Sequence, residues 1–347
     1  MATGNYQQVQ ITAIIAETKE AKTFVLQPLN NWIAEYQPGQ FLTLVFNTRY
    51  GEKRRSYSIS SSPVLNEAFS ITIKRVENGE FSRLLLTHAK VGDVLTTSGI
   101  SGFFVLPQNM DATDQFFFLA AGSGITPCYS IINTLLSITN KKIILIYSNR
   151  TEEETIFLQQ LRRLQHQFAE RFQVHFLFSN KTSVYESRLG NWLLQQLLVR
   201  YLEVDHSKVL FYLCGPFEYM QMISISLLSE GFPVQHIHKE NFSSIQRIVK
   251  PMPPDMTSHQ VKLYLKENVY GLTVQYPQSI LAVAKANNIA IPYSCEAGRC
   301  GSCAAICIKG KVWMAYNEVL MDDEIARGRI LCCQAYPVDG DVEIVIG

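Results

Sequence analysis

Gln115–Thr139 reads QFFFLAAGSGITPCYSIINTLLSIT, and the order of its parts decides the architecture. The run QFFFLAA shows no polar–apolar alternation, which fits a strand covered on both faces; a Gly-Ser-Gly turn follows, then an apolar stretch of helical length. The same succession returns at KIILIYSNR before EEETIFLQQLRRLQHQF, at QVHFLFSN, and at VLFYLCGP before FEYMQMISISLLSEG. Apolar strands alternating with amphipathic helices build βαβ units around a parallel sheet. Residues 111–242 are therefore expected to form an α/β parallel-sheet domain of the nucleotide-binding type.

Upstream, over residues 1–110, the rhythm differs. VQITAIIAET, AKTFVLQPL, QFLTLVF, RSYSISSSP, AFSITIKRV and GDVLTTSGISGFF are short runs rich in Val, Ile, Thr and Phe, separated by Pro-Gly, Asn-Gly and Gly-Asp. They predict a small antiparallel β-barrel, interrupted by one short helix at FSRLLLTHA. Downstream, residues 243–258 contain three prolines and no sustained period, as a linker would. Over residues 259–347, VKLYLKENVYGLTVQYP reads as a hairpin and QSILAVAKANN as a helix; the rest reads as loop-rich and cysteine-rich.

Of eight cysteines, Cys128 and Cys214 stand alone and six crowd between Cys295 and Cys333. A disulfide framework would staple a small secreted domain throughout, so late clustering favours metal ligation. Cys295, Cys300 and Cys303 are spaced C-x4-C-x2-C, and Cys333 follows after 29 residues. That spacing suits four thiolates holding two irons and two sulfides, the plant-type 2Fe-2S arrangement, with Gly298 and Gly301 letting the loop wrap the cluster. The alternative is zinc, although structural zinc sites favour paired C-x2-C units. Cys307 and Cys332 read as buried free cysteines acting as small hydrophobes.

Four further motifs carry chemistry. Arg55-Ser56-Tyr57-Ser58 alternates a cation, an aromatic and a hydroxyl along a strand, the groups a flavin needs for its pyrophosphate, its ring and its hydride-accepting nitrogen; a surface arginine on an exposed strand is the plainer reading. Asn78-Gly79-Glu80-Phe81-Ser82 precedes a short helix whose first amides suit phosphate. Gly122-Ser123-Gly124-Ile125-Thr126-Pro127 joins a strand to a helix, where glycines allow close approach of a dinucleotide; a plain connection is the alternative. Cys214-Gly215-Pro216 ends a strand, where open α/β sheets place ligands.

A 47% hydrophobic, 18% charged composition is that of an ordinary folded chain. A formal charge of +1 offers no long-range attraction to nucleic acid or an anionic membrane, so neither is expected as a partner. The start MATGNYQQVQITAII lacks a secretory pattern and no apolar run reaches membrane-spanning length, so a cytoplasmic protein is expected.

Taken in order, RRSYSISSSP, NGEFS, AAGSGITP, YSNR, CGP and IHKENF resemble the ferredoxin-NADP reductase superfamily, and SCEAGRCGSC with ILCCQAYP resembles a plant-type ferredoxin fused to it. The whole arrangement is similar to reductase components of bacterial oxygenases. The resemblance implies a multidomain chain: an FAD-binding antiparallel barrel, an NAD(P)-binding α/β domain and an α+β ferredoxin domain of β-grasp type. It implies that Tyr57 stacks on the isoalloxazine, that Ser58 lies near N5, and that Arg55 and Ser82, with Lys74, Gly79 and Phe81, complete the FAD site. Gly122, Ser123, Gly124, Thr126, Pro127, Arg150, Gly215 and Pro216 would line the nicotinamide dinucleotide, with Cys214 by the hydride path. Glu240 joins Ser58 and Cys214 as a catalytic group, and Phe242 would cover the flavin's other face until nicotinamide displaces it. Cys333 takes the fourth ligand position. Asn78 departs from the family where a second glycine is common, and Cys332 where a small or hydroxyl residue is usual. The implied activity is transfer of electrons from NAD(P)H through FAD and the 2Fe-2S cluster to an oxygenase-type protein, as in phenylacetate or other aromatic degradation. Rival readings are a reductase for sugar deoxygenation or a desaturase and, from another class, a zinc-stapled nucleotide-binding scaffold without redox chemistry. Arg150 and Lys181 each suit a coenzyme 2′-phosphate, which leaves NADH and NADPH both open.

Overall fold

The computed structural model describes residues 6–49, 51–183, 185, 187–242 and 251–346. Gln7–Thr18 (β1), Ala21–Pro28 (β2), Phe41–Thr48 (β3), Gly51–Ser58 (β4), Ser70–Lys74 (β5) and Val94–Ser101 (β6) form one antiparallel sheet in the order β4-β3-β6-β1-β2-β5. An isolated bridge between Ile59 and Ile71 brings its two edges together, which closes the sheet into the expected barrel. Alternation drives the closure, because inward-facing Val9, Ile11, Phe24, Leu42, Leu44 and Ile71 share one core. Helix α1 (Glu80–His88) covers part of it with buried Phe81 and Leu85.

Gln115–Ala121 (β7), Lys142–Asn149 (β8), Phe172–Phe178 (β9), Val209–Cys214 (β10) and Ile237–Glu240 (β11) form a second sheet, wholly parallel, in the order β11-β10-β7-β8-β9. Helices α2 (Ile125–Ile138) and α3 (Leu158–Gln167) pack with one face; α4 (Asn191–Tyr201) and α5 (Phe217–Ser229) pack with the other. Helix α4 falls where the apolar rhythm marks nothing: it buries only the stripe Leu193, Leu194, Leu197 and Leu198 and has no capping side chain to announce its start. The chain runs from β7 outward to β9, then returns to β10 on the other side of β7. Order therefore reverses between β7 and β10, which is where open α/β sheets hold ligands.

His259–Leu265 (β12), Asn268–Val274 (β13), Ala304–Met314 (β14), Arg329–Leu331 (β15) and Ala335–Ile346 (β16) form a third, mixed sheet in the order β13-β12-β16-β14-β15, with helices α6 (Ile280–Ala286) and α7 (Asp322–Ala326). The hairpin β12–β13 and helix α6 stand where the sequence predicts them. The loop-rich remainder is instead largely strand, since β14 and β16 pair along most of their length. Register shifts around Lys309 and a left-handed Gly310 break the alternation of β14, which hides the strand from a reading based on period two. Of the expected linker, residues 243–250 lie outside the described residues, and residues 251–258 carry neither helix nor strand.

Candidate active site

The ends of β7 and β10 meet at the switch point. An added Cβ on Gly124 would stand 1.9 Å from the carbonyl oxygen of Cys214, so only glycine lets the turn lie on the neighbouring strand. Gly122 is left-handed and its carbonyl accepts the Tyr147 hydroxyl at 2.9 Å. Thr126 donates to the Ser123 carbonyl at 2.9 Å, and α2 begins with no side-chain cap, which leaves its first amides for an anionic ligand. Lys74, at the end of β5, brings its Nζ to 3.7 Å from the position of a Cβ on Gly122, so barrel and turn share one crevice. Pro216 is the N-cap of α5 beside Gly215. Arg150 is exposed just beyond β8.

Strand β11 pairs with β10 so that Glu240 lies opposite Cys214. Burial pushes the Glu240 carboxyl up to about 8, with the Ser58 hydrogen bond pulling the other way. The Ser58 hydroxyl donates to Oε2 of Glu240 at 3.5 Å. Burial, then the charge of Glu240, pushes the Cys214 thiol well up, and the same two causes act in the same order on Cys128 of α2. Near neutral pH this corner holds protonated groups. Cys128 was not marked as a site residue by the sequence, and its only signal is its place one turn into the helix that follows the glycine turn.

On β4, Arg55 lies 5.3 Å from the ring of Phe81 and its guanidinium donates to the Arg54 carbonyl at 2.7 Å. Burial pushes the Tyr57 phenol up. The Ser82 hydroxyl is engaged within its own turn: it accepts from the Val76 amide at 3.2 Å and lies 3.4 Å from the Gly79 carbonyl. Asn78 takes the left-handed conformation that a glycine would adopt without strain. Arg55, Ser58, Glu240, Phe242, Cys295 and Cys300 all line one cavity of about 80 Å3. A larger open groove, about 810 Å3, between β3, α1 and β6 carries only Phe81 among the expected residues.

The four expected thiols fall into two pairs. Cys300 hydrogen-bonds Cys295, which draws the Cys295 thiol down with further help from the amides of Ala297, Arg299 and Cys300, and the same contact pushes Cys300 up. Cys303 is likewise pushed up by hydrogen bonding with Cys333, whose amide lies 3.4 Å from the Cys303 sulfur. Among the described residues no three potential ligands converge on a single ion. Two pairs of thiols suit a binuclear cluster with two thiolates on each iron better than one tetrahedral zinc. The wrap uses left-handed Gly298 and Gly301, and a Cβ on Gly298 would stand 2.8 Å from the Tyr316 carbonyl oxygen. Cys332 is fully buried, as expected of a small hydrophobe. Cys307 departs from that expectation: it is half-buried on β14, with its thiol donating to the Lys309 carbonyl at 3.4 Å.

Residues 8–105 match the oxidoreductase FAD-binding domain family, residues 118–224 the oxidoreductase NAD-binding domain family, and residues 267–338 the 2Fe-2S iron-sulfur cluster binding domain family. The ferredoxin reductase component of 3-ketosteroid-9-alpha-monooxygenase from Rhodococcus rhodochrous is 32% identical over 96% of this chain and 95% of its own length. The chain belongs to the ferredoxin-NADP reductase superfamily with a C-terminal 2Fe-2S ferredoxin domain. It is an NAD(P)H-dependent flavin and iron–sulfur oxidoreductase, with FAD and a 2Fe-2S cluster as cofactors. One component of the 1,2-phenylacetyl-CoA epoxidase from Escherichia coli is 31% identical over 98% of this chain and 97% of its own length. The fold of phthalate dioxygenase reductase matches with a TM-score of 0.60 at 21% identity, covering 98% of both chains. Among the described residues no helix is long and apolar enough to cross a membrane.

The ferredoxin domain does not stand apart from the barrel and the parallel-sheet domain. Ser56 and Ser294 share a hydrogen bond at 2.7 Å, Ser101 and Ser302 one at 3.1 Å, and Asn241 donates to Glu318 at 2.8 Å. A Cβ on Gly301 would stand 2.4 Å from the Phe103 ring. The sequence marked none of Ser56, Ser294, Phe103 or Asn241 for this role.

Proposed function

We propose that this chain is the reductase component of an oxygenase-type system, oxidising NAD(P)H and delivering electrons singly to a separate protein. The observation that carries this reading is the single cavity lined by residues expected for flavin (Arg55 and Ser58), for the nicotinamide side (Glu240 and Phe242) and for the cluster (Cys295 and Cys300). Relatives matched over nearly their whole length, one named as the reductase component of a steroid monooxygenase and one as part of a phenylacetyl-CoA epoxidase, support an oxygenase partner, with aromatic or steroid degradation as the setting. A net charge of +1 favours a protein partner over nucleic acid or an anionic membrane, and eight cysteines free of disulfides, four of them expected to ligate the cluster, favour the reducing cytoplasm. The division of labour follows residues 1–110 for FAD, 111–242 for NAD(P), 243–258 as linker and 259–347 for the cluster.

Bound FAD supplies hydride acceptance with one-electron release, and the bound cluster supplies one-electron storage. The chain's part is placement and proton control. The Gly122–Gly124 turn and the first amides of α2 hold the coenzyme phosphates, Ser58 offers a hydroxyl at the flavin nitrogen, and Glu240 holds a proton beside it. Cys214 and Phe104, both buried, keep water from the hydride path. Cys295, Cys300, Cys303 and Cys333 would hold the cluster through their thiolates.

The deciding experiment is an anaerobic visible spectrum with iron and acid-labile sulfide assays, followed by titration with NADH and, separately, NADPH. Flavin and iron–sulfur bands that both bleach are the expected result; a colourless, zinc-containing protein would overturn it.

A further inference from the structure

Strand β4 presents two faces with two separate tasks. Odd-numbered Arg55 and Tyr57 lie on the side assigned above to the FAD pyrophosphate and ring, whereas even-numbered Glu52, Arg54 and Ser56 meet the ferredoxin domain, and Ser58, of the same parity at the end of the strand, meets Glu240 instead. Arg54 is 8% exposed although it carries a permanent charge. Its guanidinium pairs with Glu52 at 2.7 Å, donates to the Tyr293 carbonyl at 3.2 Å and to the Tyr6 hydroxyl at 3.3 Å, and lies 3.7 Å from the centre of the Tyr293 ring. Tyr6 also bonds the far oxygen of Glu52, and the Tyr293 hydroxyl donates to Glu52 at 3.4 Å. Lys285 stands 4.3 Å from the same ring and pairs with Glu296 at 2.9 Å. Two residues further along β4, Ser56 holds Ser294, the neighbour of Cys295. A buried arginine held by Glu52 and Tyr6 of the barrel and meeting both the carbonyl and the ring of Tyr293 on the ferredoxin domain is a specific device, since an unpaired buried charge would be strongly unfavourable.

We propose that Arg54 and Ser56 are positioning residues for electron transfer: they lock the Tyr293–Cys295 segment onto the back of the flavin strand and thereby set the separation between flavin and cluster. This rests on the reading of the chain as a flavin-to-cluster reductase. The overall reaction balances as NAD(P)H + 2 acceptor(oxidised) → NAD(P)+ + H+ + 2 acceptor(reduced). The coenzyme hydride supplies two electrons, each crosses the seam singly to the cluster, and a one-electron acceptor protein takes it onward. The independent observation is Gly301, where a side chain would collide with Phe103 on the barrel, so the loop is shaped for this contact at a second point.

The test uses the holoprotein, loaded with FAD and cluster and mixed anaerobically with NADH or NADPH. In Arg54→Ala the flavin band bleaches at the parent rate. The signal of the reduced cluster in freeze-quenched samples then rises on the order of tenfold more slowly, because the loss of charge-assisted hydrogen bonds leaves the docked arrangement less populated. Ser56→Ala and Ser294→Ala each slow that second phase ~5-fold, the double variant is no slower than either, and Ser56→Thr restores it. Iron, sulfide and FAD contents stay at parent values, and amides 293–303 exchange hydrogen faster in Arg54→Ala. A cluster reduced at the parent rate in Arg54→Ala and in Ser56→Ala would overturn the proposal. If Arg54→Ala loses FAD or cluster, the serine pair, which removes one hydrogen bond and no charge, decides. Failure of NAD(P)H to bleach the flavin of the parent protein would instead refute the reductase reading.

Discussion

The nucleotide crevice and the cluster seam are both closed around a glycine, yet they are closed by different materials. At Gly124 the obstacle to a side chain is the main chain of β10, at 1.9 Å; at Gly301 it is the ring of Phe103, at 2.4 Å. The crevice is made of backbone within a single parallel sheet, whose central strands cannot shift without breaking their ladders. The seam is made of side chains reaching between separately folded sheets, where rings and hydroxyls can give way. The first is built for fixed geometry; the second holds one arrangement through a few specific contacts.

The largest effect that would sharpen this contrast lies on the seam side. Cys333→Ser should abolish cluster absorbance while NAD(P)H still bleaches the flavin, and Cys332→Ser should retain the cluster. A cluster retained in Cys333→Ser would reverse the assignment of the two neighbours. On the crevice side, Glu240 carries the next effect. Its carboxyl titrates at about 8 in the folded chain against the ordinary 4.5, so across that window the unfolded chain releases a proton that the folded chain keeps. Stability therefore falls as pH rises from about 4.5 to about 8, by up to about 1.4 kcal/mol per pH unit, and levels off above it. Denaturant unfolding of the parent and of Glu240→Gln over this range checks it; equal pH dependence in the two proteins would show that Glu240 is not held protonated.

Gly124→Ala should cost about 3 kcal/mol, because its obstacle is backbone and cannot step aside. Gly301→Ala should cost less, about 1–2 kcal/mol from its left-handed conformation, plus a collision that Phe103→Ala relieves. Urea unfolding of the two single variants and the Gly301→Ala/Phe103→Ala pair measures both. Equal costs at Gly124 and Gly301 would break the distinction between crevice and seam.

Much of the fold was legible because each sheet has its own hydrophobic signature: alternation in the barrel and unbroken apolar runs in the parallel sheet. Helix α4 escaped because its leucine stripe is short and uncapped, and β14 because the bulge around Lys309 and Gly310 breaks its alternation. Within the site, the glycine turn and the cysteine spacing were legible as local patterns whose chemistry depends on few neighbours. The buried state of Glu240 and the field it exerts on Cys128 were not, since burial is a property of packed elements.

By itself the sequence determined three modules, their order and their cofactor types, because strand period, helix period, glycine turns and thiol spacing are all short-range. Only the tertiary structure decided that the thiols pair as Cys295 with Cys300 and Cys303 with Cys333, that Ser58 meets Glu240, and that β4 serves the ferredoxin domain with the face opposite Arg55 and Tyr57. Ser56 and Ser294 lie 238 positions apart. A contact over that separation is written in no local pattern; it exists because two independently folded surfaces happen to match in shape and hydrogen bonding once each core is formed.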